Sequence, residues 1–112
     1  MSINAIIKMK SQCHVDNALK VIGGKWKLII LWYLNQSTLR FNELEKSIPG
    51  ITQKMLAQQL RELEKDGLIT RKVYPVVPPK VEYTITPRGL SLHDVVKELD
   101  KWGSQHIKTS RV

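Results

Sequence analysis

The stretch from Phe41 to Gly67 decides the fold, and it reads FNELEKSIPGITQKMLAQQLRELEKDG. Apolar residues recur at helical spacing on both sides of the dipeptide Pro49-Gly50, which is typical of a tight turn. The sequence therefore predicts a short helix over 41–47 and a longer helix over 52–66, for which Thr52 is a suitable N-cap. Two adjacent helices joined by such a turn are typical of a helix-turn-helix.

The predicted helix over 52–66 has one apolar face and one polar face. At about 100° per residue, Leu56, Leu60 and Leu63 fall on the same side, which predicts a buried stripe. The opposite side and the first turn hold the candidate base-reading residues, which are Thr52, Gln53, Lys54, Ala57, Gln58 and Arg61. Gln can pair with adenine and Arg with guanine or a phosphate, so these residue types suit the major groove of DNA. The alternative is an ordinary solvated surface helix.

Further elements are predicted on both sides of this stretch. A helix from about Asp16 ends at Gly23-Gly24, and an almost wholly apolar helix follows over 25–34. Two strands joined by a Pro-rich hairpin come next, and Thr86-Pro87 is typical of the start of a last helix. The predicted fold class is mainly α with a small β-hairpin, a winged helix-turn-helix in one domain over 1–112. Its parts are an arm over 1–12, the helix-turn-helix over 41–66, the wing over 68–86 and the last helix over 87–108.

The charge of the chain favours a polyanionic partner, either nucleic acid or an anionic membrane surface. Eighteen Lys and Arg oppose ten Asp and Glu among 112 residues, which gives a net charge of +8. The region 41–67 is nearly neutral, with four basic and five acidic residues, so its flanks would supply much of the attraction to phosphate.

Apolar runs such as 28–34 are far shorter than the ~20 residues that cross a bilayer. Because no secretory apolar segment is evident at the N-terminus either, we expect a soluble protein of the cytoplasm, without membrane attachment.

The predicted wing adds a second set of candidate DNA contacts. Arg71, Lys72, Lys80 and Arg88 are expected around the Pro-stiffened tip of the hairpin. A basic hairpin beside a recognition helix can straddle phosphates and place a side chain in the minor groove. The alternative is that these charges serve solubility alone.

The sequence shows no machinery for catalysis, and no metal or cofactor is expected. Cys13 is the only cysteine, so an intrachain disulfide framework and a Cys-based zinc cage are excluded. The histidines are scattered along the chain, at His14, His93 and His106. The segment Gly23-Gly24-Lys25 lacks the spacing of a P-loop, and Trp26 replaces the Ser or Thr that would hold magnesium.

With these motifs in place, the chain resembles the HxlR family of bacterial winged-helix regulators. The motifs that carry the resemblance are VIGGKWK at 21–27, RFNEL at 40–44, PGITQKML at 49–56, QLRELEKDGL at 59–68 and YPVVPPKVEY at 74–83. The resemblance covers about residues 13–103 and implies a homodimeric transcriptional regulator related in fold to the MarR group. It further implies that the N-terminal segment and the last helix form the dimer interface and that the helix over 52–66 enters the major groove. Two symmetric copies would read a pseudo-palindromic operator with half-sites roughly 10 bp, or a multiple of that, apart.

Cys13 is the candidate redox-sensing residue. It lies just before a predicted helix start, with Lys8 and Lys10 upstream, an environment that favours thiolates. The alternative is a small buried apolar residue without chemistry. Many members of the family have a cysteine at this position, usually followed by Pro, and several use it to sense oxidants or electrophiles; here His14 replaces that Pro. Without a second cysteine, the remaining reactions are a bridge between two protomers, a mixed disulfide with a small thiol, or alkylation.

Three functions are compatible with these features of the sequence. The leading one is a dimeric repressor whose DNA affinity changes when an oxidant or small electrophile modifies Cys13. A second is the same regulator switched by a ligand in a cleft lined by Trp26, Trp32, Tyr33 and Trp102. A third is a winged-helix protein-interaction module that does not bind DNA.

Overall fold

Helices dominate the fold, as the apolar periodicity predicts. The structure, a computed structural model, describes residues 13–108; the predicted arm over 1–12 lies outside them. The elements are α1 (His14–Ile22), α2 (Lys27–Gln36), β1 (Leu39–Arg40), α3 (Phe41–Ser47), α4 (Gln53–Lys65), β2 (Ile69–Tyr74), β3 (Lys80–Ile85), α5 (Pro87–Leu90) and α6 (His93–His106). Within the described range, no helix is long and apolar enough to cross a membrane.

Helix α2 lies at the centre of the domain because it is apolar on most of its surface. It packs against α3, α6 and β3, and Ile30, Leu31 and Leu34 are buried in the core. One side of α2 nevertheless remains partly at the surface. Leu28, Ile29 and Trp32 are half-buried, and they line a shallow groove between α2 and α6.

The turn between α3 and α4 forms as the sequence predicts. Ile48 and Ile51 are joined across Pro49-Gly50 by a backbone hydrogen bond of 3.4 Å, and Gly50 has a φ of +83° that favours glycine. The Thr52 hydroxyl then accepts a hydrogen bond of 3.0 Å from the backbone N–H of Met55. This cap starts α4 at Gln53 and fixes its orientation relative to α3.

The sheet has one strand more than the predicted hairpin. Strands β2 and β3 pair antiparallel, and β1 adds to the other edge of β3, which gives the order β1-β3-β2. Leu39 pairs with Tyr83 and Arg40 with Glu82 in this register. A strand of two residues is too short to show an alternating pattern, so β1 could not be predicted from the sequence.

The predicted last helix is interrupted. Thr86 caps its start as expected, accepting a hydrogen bond of 3.0 Å from the Gly89 N–H, but α5 ends at Leu90 and α6 begins at His93. The Leu92 N–H bonds three residues back to the Gly89 carbonyl, so the chain tightens and turns here. Gly89 is buried at the bend, where any side chain would collide with the Leu68 backbone.

Candidate nucleic-acid interface

Helix α4 presents the predicted polar face to solvent. Leu56, Leu60 and Leu63 are buried beneath it and attach the helix to the core. The candidate base-reading residues Thr52, Gln53, Lys54, Gln58 and Arg61 are exposed, and Ala57 is half-buried among them. The alternation of leucines and polar residues therefore leaves a ridge of donors and acceptors on the outer side of the helix-turn-helix.

One residue of this ridge is already engaged by its neighbours. The Gln58 Nε2 atom donates a hydrogen bond of 3.3 Å to Glu62 Oε2, one helical turn further on. The other Glu62 oxygen, Oε1, lies 2.8 Å from the Lys27 Nζ atom at the start of α2. Lys27 also donates a hydrogen bond of 3.3 Å to the backbone carbonyl of Val21 in α1. A chain of polar contacts thus runs from α1 through α2 to the exposed face of α4.

The ionisation of Glu62 follows from these contacts. The hydrogen bond from Lys27 lowers the pKa of the Glu62 carboxyl below its ordinary value, and the hydrogen bond from Gln58 and the charge of Lys27 act in the same direction. Glu62 is therefore a carboxylate at neutral pH. The role of Glu62 does not follow from the sequence alone. Its spacing from Gln58 is visible there, but its contact with Lys27 depends on how α2 and α4 pack in the fold.

The cations of the wing lie on its two faces and not together at its tip. Arg71 is opposite Tyr83 in the register, whereas Lys72 is opposite Glu82, so their side chains alternate between the faces of the sheet. The Nζ atoms of Lys72 and Lys80 lie 4.8 and 4.6 Å from the centre of the Tyr74 ring. Lys72 and Lys80 therefore form one positive cluster on the outer face, on a platform made by Tyr74.

The outer cluster also contains an acid. The Tyr74 hydroxyl donates a hydrogen bond of 2.9 Å to Glu82 Oε1, and Lys80 Nζ lies 4.0 Å from Glu82 Oε2. Glu82 therefore offsets part of the positive charge, and it holds the tyrosine ring that the two lysines contact. The sequence offered a weak signal for this cluster, since residues 72, 74, 80 and 82 alternate along two paired strands.

Placing Arg88 at the wing tip was wrong. Arg88 belongs to α5, at the opposite end of β3, and it borders a shallow pocket with Ala18 and Leu92. The tip itself is apolar and rich in proline, and Val77 is 99% exposed. The error arose because Arg88 is close to the wing in sequence, whereas β3 carries the chain away from the tip.

Helix α6 has an apolar stripe that the rest of the described chain leaves uncovered. Val95, Leu99 and Trp102 follow one another at helical spacing and are 46%, 51% and 55% exposed. Val15 and Leu19 in α1 are exposed as well. Large apolar side chains grouped in this way mark interaction surfaces more often than ordinary solvent-exposed surface.

Cys13 is exposed and forms the N-cap of α1. Its backbone carbonyl accepts a hydrogen bond of 3.2 Å from the Asn17 N–H. The upstream Lys8 and Lys10 lie outside the described residues.

The four aromatic residues considered for a ligand cleft have three different surroundings in the described chain. Trp32 borders the groove between α2 and α6, whereas Trp26 and Tyr33 pack against the core. Trp102 is exposed on α6, where it stacks on His106 with ring centres 4.9 Å apart. Across residues 13–108, no three side chains of the metal-binding types are grouped.

A helix-turn-helix whose second helix is exposed, followed by a β-hairpin wing, defines the winged helix-turn-helix class of DNA-binding proteins. The chain belongs to the family of HxlR-like helix-turn-helix proteins, whose family model matches residues 21–111. The family resemblance seen in the sequence is thereby confirmed. The protein is a DNA-binding transcriptional regulator of HxlR and MarR type, and not an enzyme.

Individual relatives agree with this assignment. The chain is 52% identical over 100 residues to YtcD of Bacillus subtilis, an uncharacterized HTH-type transcriptional regulator, covering 89% of this chain and 79% of YtcD. The solved structure of the redox regulator HypR in its oxidized form matches with a TM-score of 0.82 and 46% identity, covering 87% of this chain and all (100%) of that one. The reduced form of the transcriptional regulator YodB from B. subtilis matches with a TM-score of 0.72 and 34% identity, covering 91% of this chain and 100% of YodB.

Proposed function

We propose that the protein is a homodimeric repressor that reads a pseudo-palindromic operator through α4 and responds to oxidants or electrophiles through Cys13. The observation that carries the proposal is the exposed polar face of α4, fixed to the core by the buried leucines beneath it. Because its target is chromosomal DNA, we expect the regulator to act in the cytoplasm.

In this proposal the residues of the interface divide their roles by position. Base edges in the major groove are contacted by the exposed side chains of α4, which are Thr52, Gln53, Lys54, Gln58 and Arg61, with Ala57 allowing close approach. Phosphates are contacted by Arg71, Lys72 and Lys80 of the wing. Phosphate contacts set orientation and affinity, whereas base contacts set the sequence that is read.

The uncovered stripe of α6 supports the homodimer. A second copy of the chain would cover Val95, Leu99 and Trp102 through a two-fold contact, the most common form of oligomer interface. Leu19 of α1 adds to the exposed apolar surface. In a dimer of this kind, the two α4 helices would together read a symmetric operator.

The position of Cys13 supports the proposed switch. Oxidation would join the Cys13 thiols of two protomers, which lose two protons and two electrons to an oxidant such as diamide as the S–S bond forms. A quinone would add to a single thiol, forming an S–C bond while the thiol proton passes to a quinone oxygen. Either product would alter the start of α1, and Lys27 connects the end of α1 with α4. HypR, a redox regulator by name, shares this fold.

The experiment compares wild type with Cys13→Ser in operator binding before and after treatment with diamide or a benzoquinone. We expect both proteins to bind the operator equally before treatment, and we expect only wild type to lose affinity afterwards. Mass spectrometry under the same conditions reports the disulfide or the adduct. Equal responses of the two proteins would show that Cys13 is not the switch, and a ligand site in the groove between α2 and α6 would then be the next candidate.

A further inference from the structure

The contact between Gln58 and Glu62 restricts how Gln58 can present its side-chain amide. Glu62 is held on one side by the Lys27 Nζ atom at 2.8 Å and on the other by Gln58 Nε2 at 3.3 Å. The side chain of Lys27 is only 11% exposed and has a second contact with the Val21 carbonyl, so the cation is fixed in place. The carboxylate therefore stands at a defined point beside Gln58.

A carboxylate accepts hydrogen bonds and cannot donate them. The lowered pKa of Glu62 keeps it in this form at neutral pH. Only the NH₂ end of the Gln58 amide can face such a group, because the carbonyl end would be repelled. The Oε1 atom of Gln58 is consequently directed away from Glu62, together with the second N–H of the amide.

This orientation distinguishes the two purines. Adenine shows a donor at N6 and an acceptor at N7 in the major groove, whereas guanine shows acceptors at both O6 and N7. An outward oxygen beside one remaining N–H matches adenine. Against guanine, the outward Oε1 atom of Gln58 would face the O6 atom of the base, and two acceptors would lie opposite each other.

We propose that Glu62, held by Lys27, is a positioning residue that fixes the Gln58 amide so that Gln58 reads adenine in preference to guanine. The inference rests on the proposed role of Gln58 as a base-reading residue. It assigns to the ion pair between α2 and α4 a part in sequence specificity, beyond its part in attaching the helix.

The substitution Glu62→Gln gives an unusually sharp test. Lys27 would take the oxygen of the new amide, which leaves an NH₂ group facing Gln58. Gln58 would then turn its own oxygen inward and its NH₂ group outward, which suits guanine. The expected result is a reversal of base preference and not merely a weaker complex.

The experiment measures binding of the intact protein to operator DNA carrying each base in turn at every half-site position. For wild type, we expect one position per half-site to prefer adenine over guanine by about tenfold, and we expect Gln58→Ala to abolish that preference. We expect Glu62→Gln to shift the ratio by at least about tenfold toward guanine. Glu64→Gln removes the same charge from an exposed position of α4 and should leave the ratio unchanged.

The variants separate the possible failures. Glu62→Gln in the Gln58→Ala background should have no further effect on the ratio, which excludes a general effect of charge. An unchanged ratio in folded Glu62→Gln, with Gln58→Ala still effective, would overturn the positioning role and leave the proposed function intact. Sequence-specific binding in which Gln58→Ala changes no ratio would overturn this inference at Gln58 itself. A wild type without any sequence preference would overturn the proposed function.

Discussion

Helices α4 and α6 have the same kind of sequence pattern and differ in what covers it. Both carry large apolar residues at i, i+4 and i+7: Leu56, Leu60 and Leu63 in α4, and Val95, Leu99 and Trp102 in α6. The stripe of α4 is buried by the core, whereas the stripe of α6 is about half exposed. Periodicity therefore predicts that a face will be buried, but it does not indicate whether the covering surface belongs to the same chain.

The burial of the α4 stripe predicts a large loss of stability when one of its leucines is truncated. Leu60→Ala removes a fully buried side chain, so we expect the free energy of unfolding to fall by about 2–5 kcal/mol. Denaturant unfolding at fixed protein concentration measures it. Lys54→Ala, on the exposed face of the same helix, should change stability by less than about 0.5 kcal/mol. A loss at Leu60 as small as that at Lys54 would mean that the α4 stripe is not a packed core.

The partly exposed stripe of α6 predicts weaker dimerisation when its largest side chain is truncated. Trp102 is the largest side chain of the α6 stripe, and truncating such a residue at the centre of an interface costs about 2 kcal/mol or more. We therefore expect Trp102→Ala to weaken dimerisation about 30-fold, as measured by sedimentation over a range of concentrations. The neighbouring Lys101→Ala serves as the control. Wild type that sediments as a folded monomer at micromolar concentration would contradict the proposed dimer.

A third pair of substitutions distinguishes the proposed base contacts of α4 from the proposed phosphate contacts of the wing. Arg61→Ala should cost roughly 1–3 kcal/mol on the specific operator and relax selectivity at one position, if Arg61 contacts a base. Lys80→Ala should instead weaken binding to all sequences alike and reduce the salt slope by about one. Titrations at several salt concentrations with operator and random DNA measure both. If neither substitution changes binding, α4 and the wing do not form the DNA interface.

The smallest change that we predict is in the pH dependence of stability, and it comes from the ion pair between Glu62 of α4 and Lys27 of α2. The pKa of Glu62 is lowered in the folded protein from an ordinary value of 4.5, so its contribution to stability is present above pH 4.5 and is lost as the pH falls through the lowered value. Wild type should therefore lose more stability below pH 4.5 than Glu62→Gln does. Thermal unfolding across this range measures the difference. Parallel pH profiles for the two proteins would show that the contact with Lys27 contributes nothing to stability.

The parts of the fold that follow from local chemistry were predictable from the sequence. The cap at Thr52, the turn at Pro49-Gly50 and the leucine stripe of α4 depend on residues within one or two turns of each other. The strand β1 was missed because two residues show no pattern. The bend before α6 was missed because Gly89 is buried against the Leu68 backbone, a contact that periodicity does not reveal.

The candidate DNA interface was likewise predictable only where it depends on residues that are close in sequence. Helical spacing placed Gln58 and Arg61 on one exposed face of α4, where the structure has them. The pairing of Glu62 with Lys27 joins residues 35 positions apart and depends on the packing of two helices. Arg88 was misplaced for the complementary reason, because a residue near the wing in sequence lies at the far end of β3.

Changing the spacing of the two operator half-sites tests most directly the claim that two copies of α4, joined through α6, read the DNA together. Inserting roughly 5 bp, half a helical turn, rotates one half-site to the opposite side of the duplex. We predict that wild type loses most of its specific affinity for this operator. It should lose it as well when roughly 10 bp are inserted, because a full turn moves the half-sites ~34 Å further apart than the two α4 helices of one dimer. Equal affinity for all three operators would contradict the account, because each chain would then be reading its half-site alone.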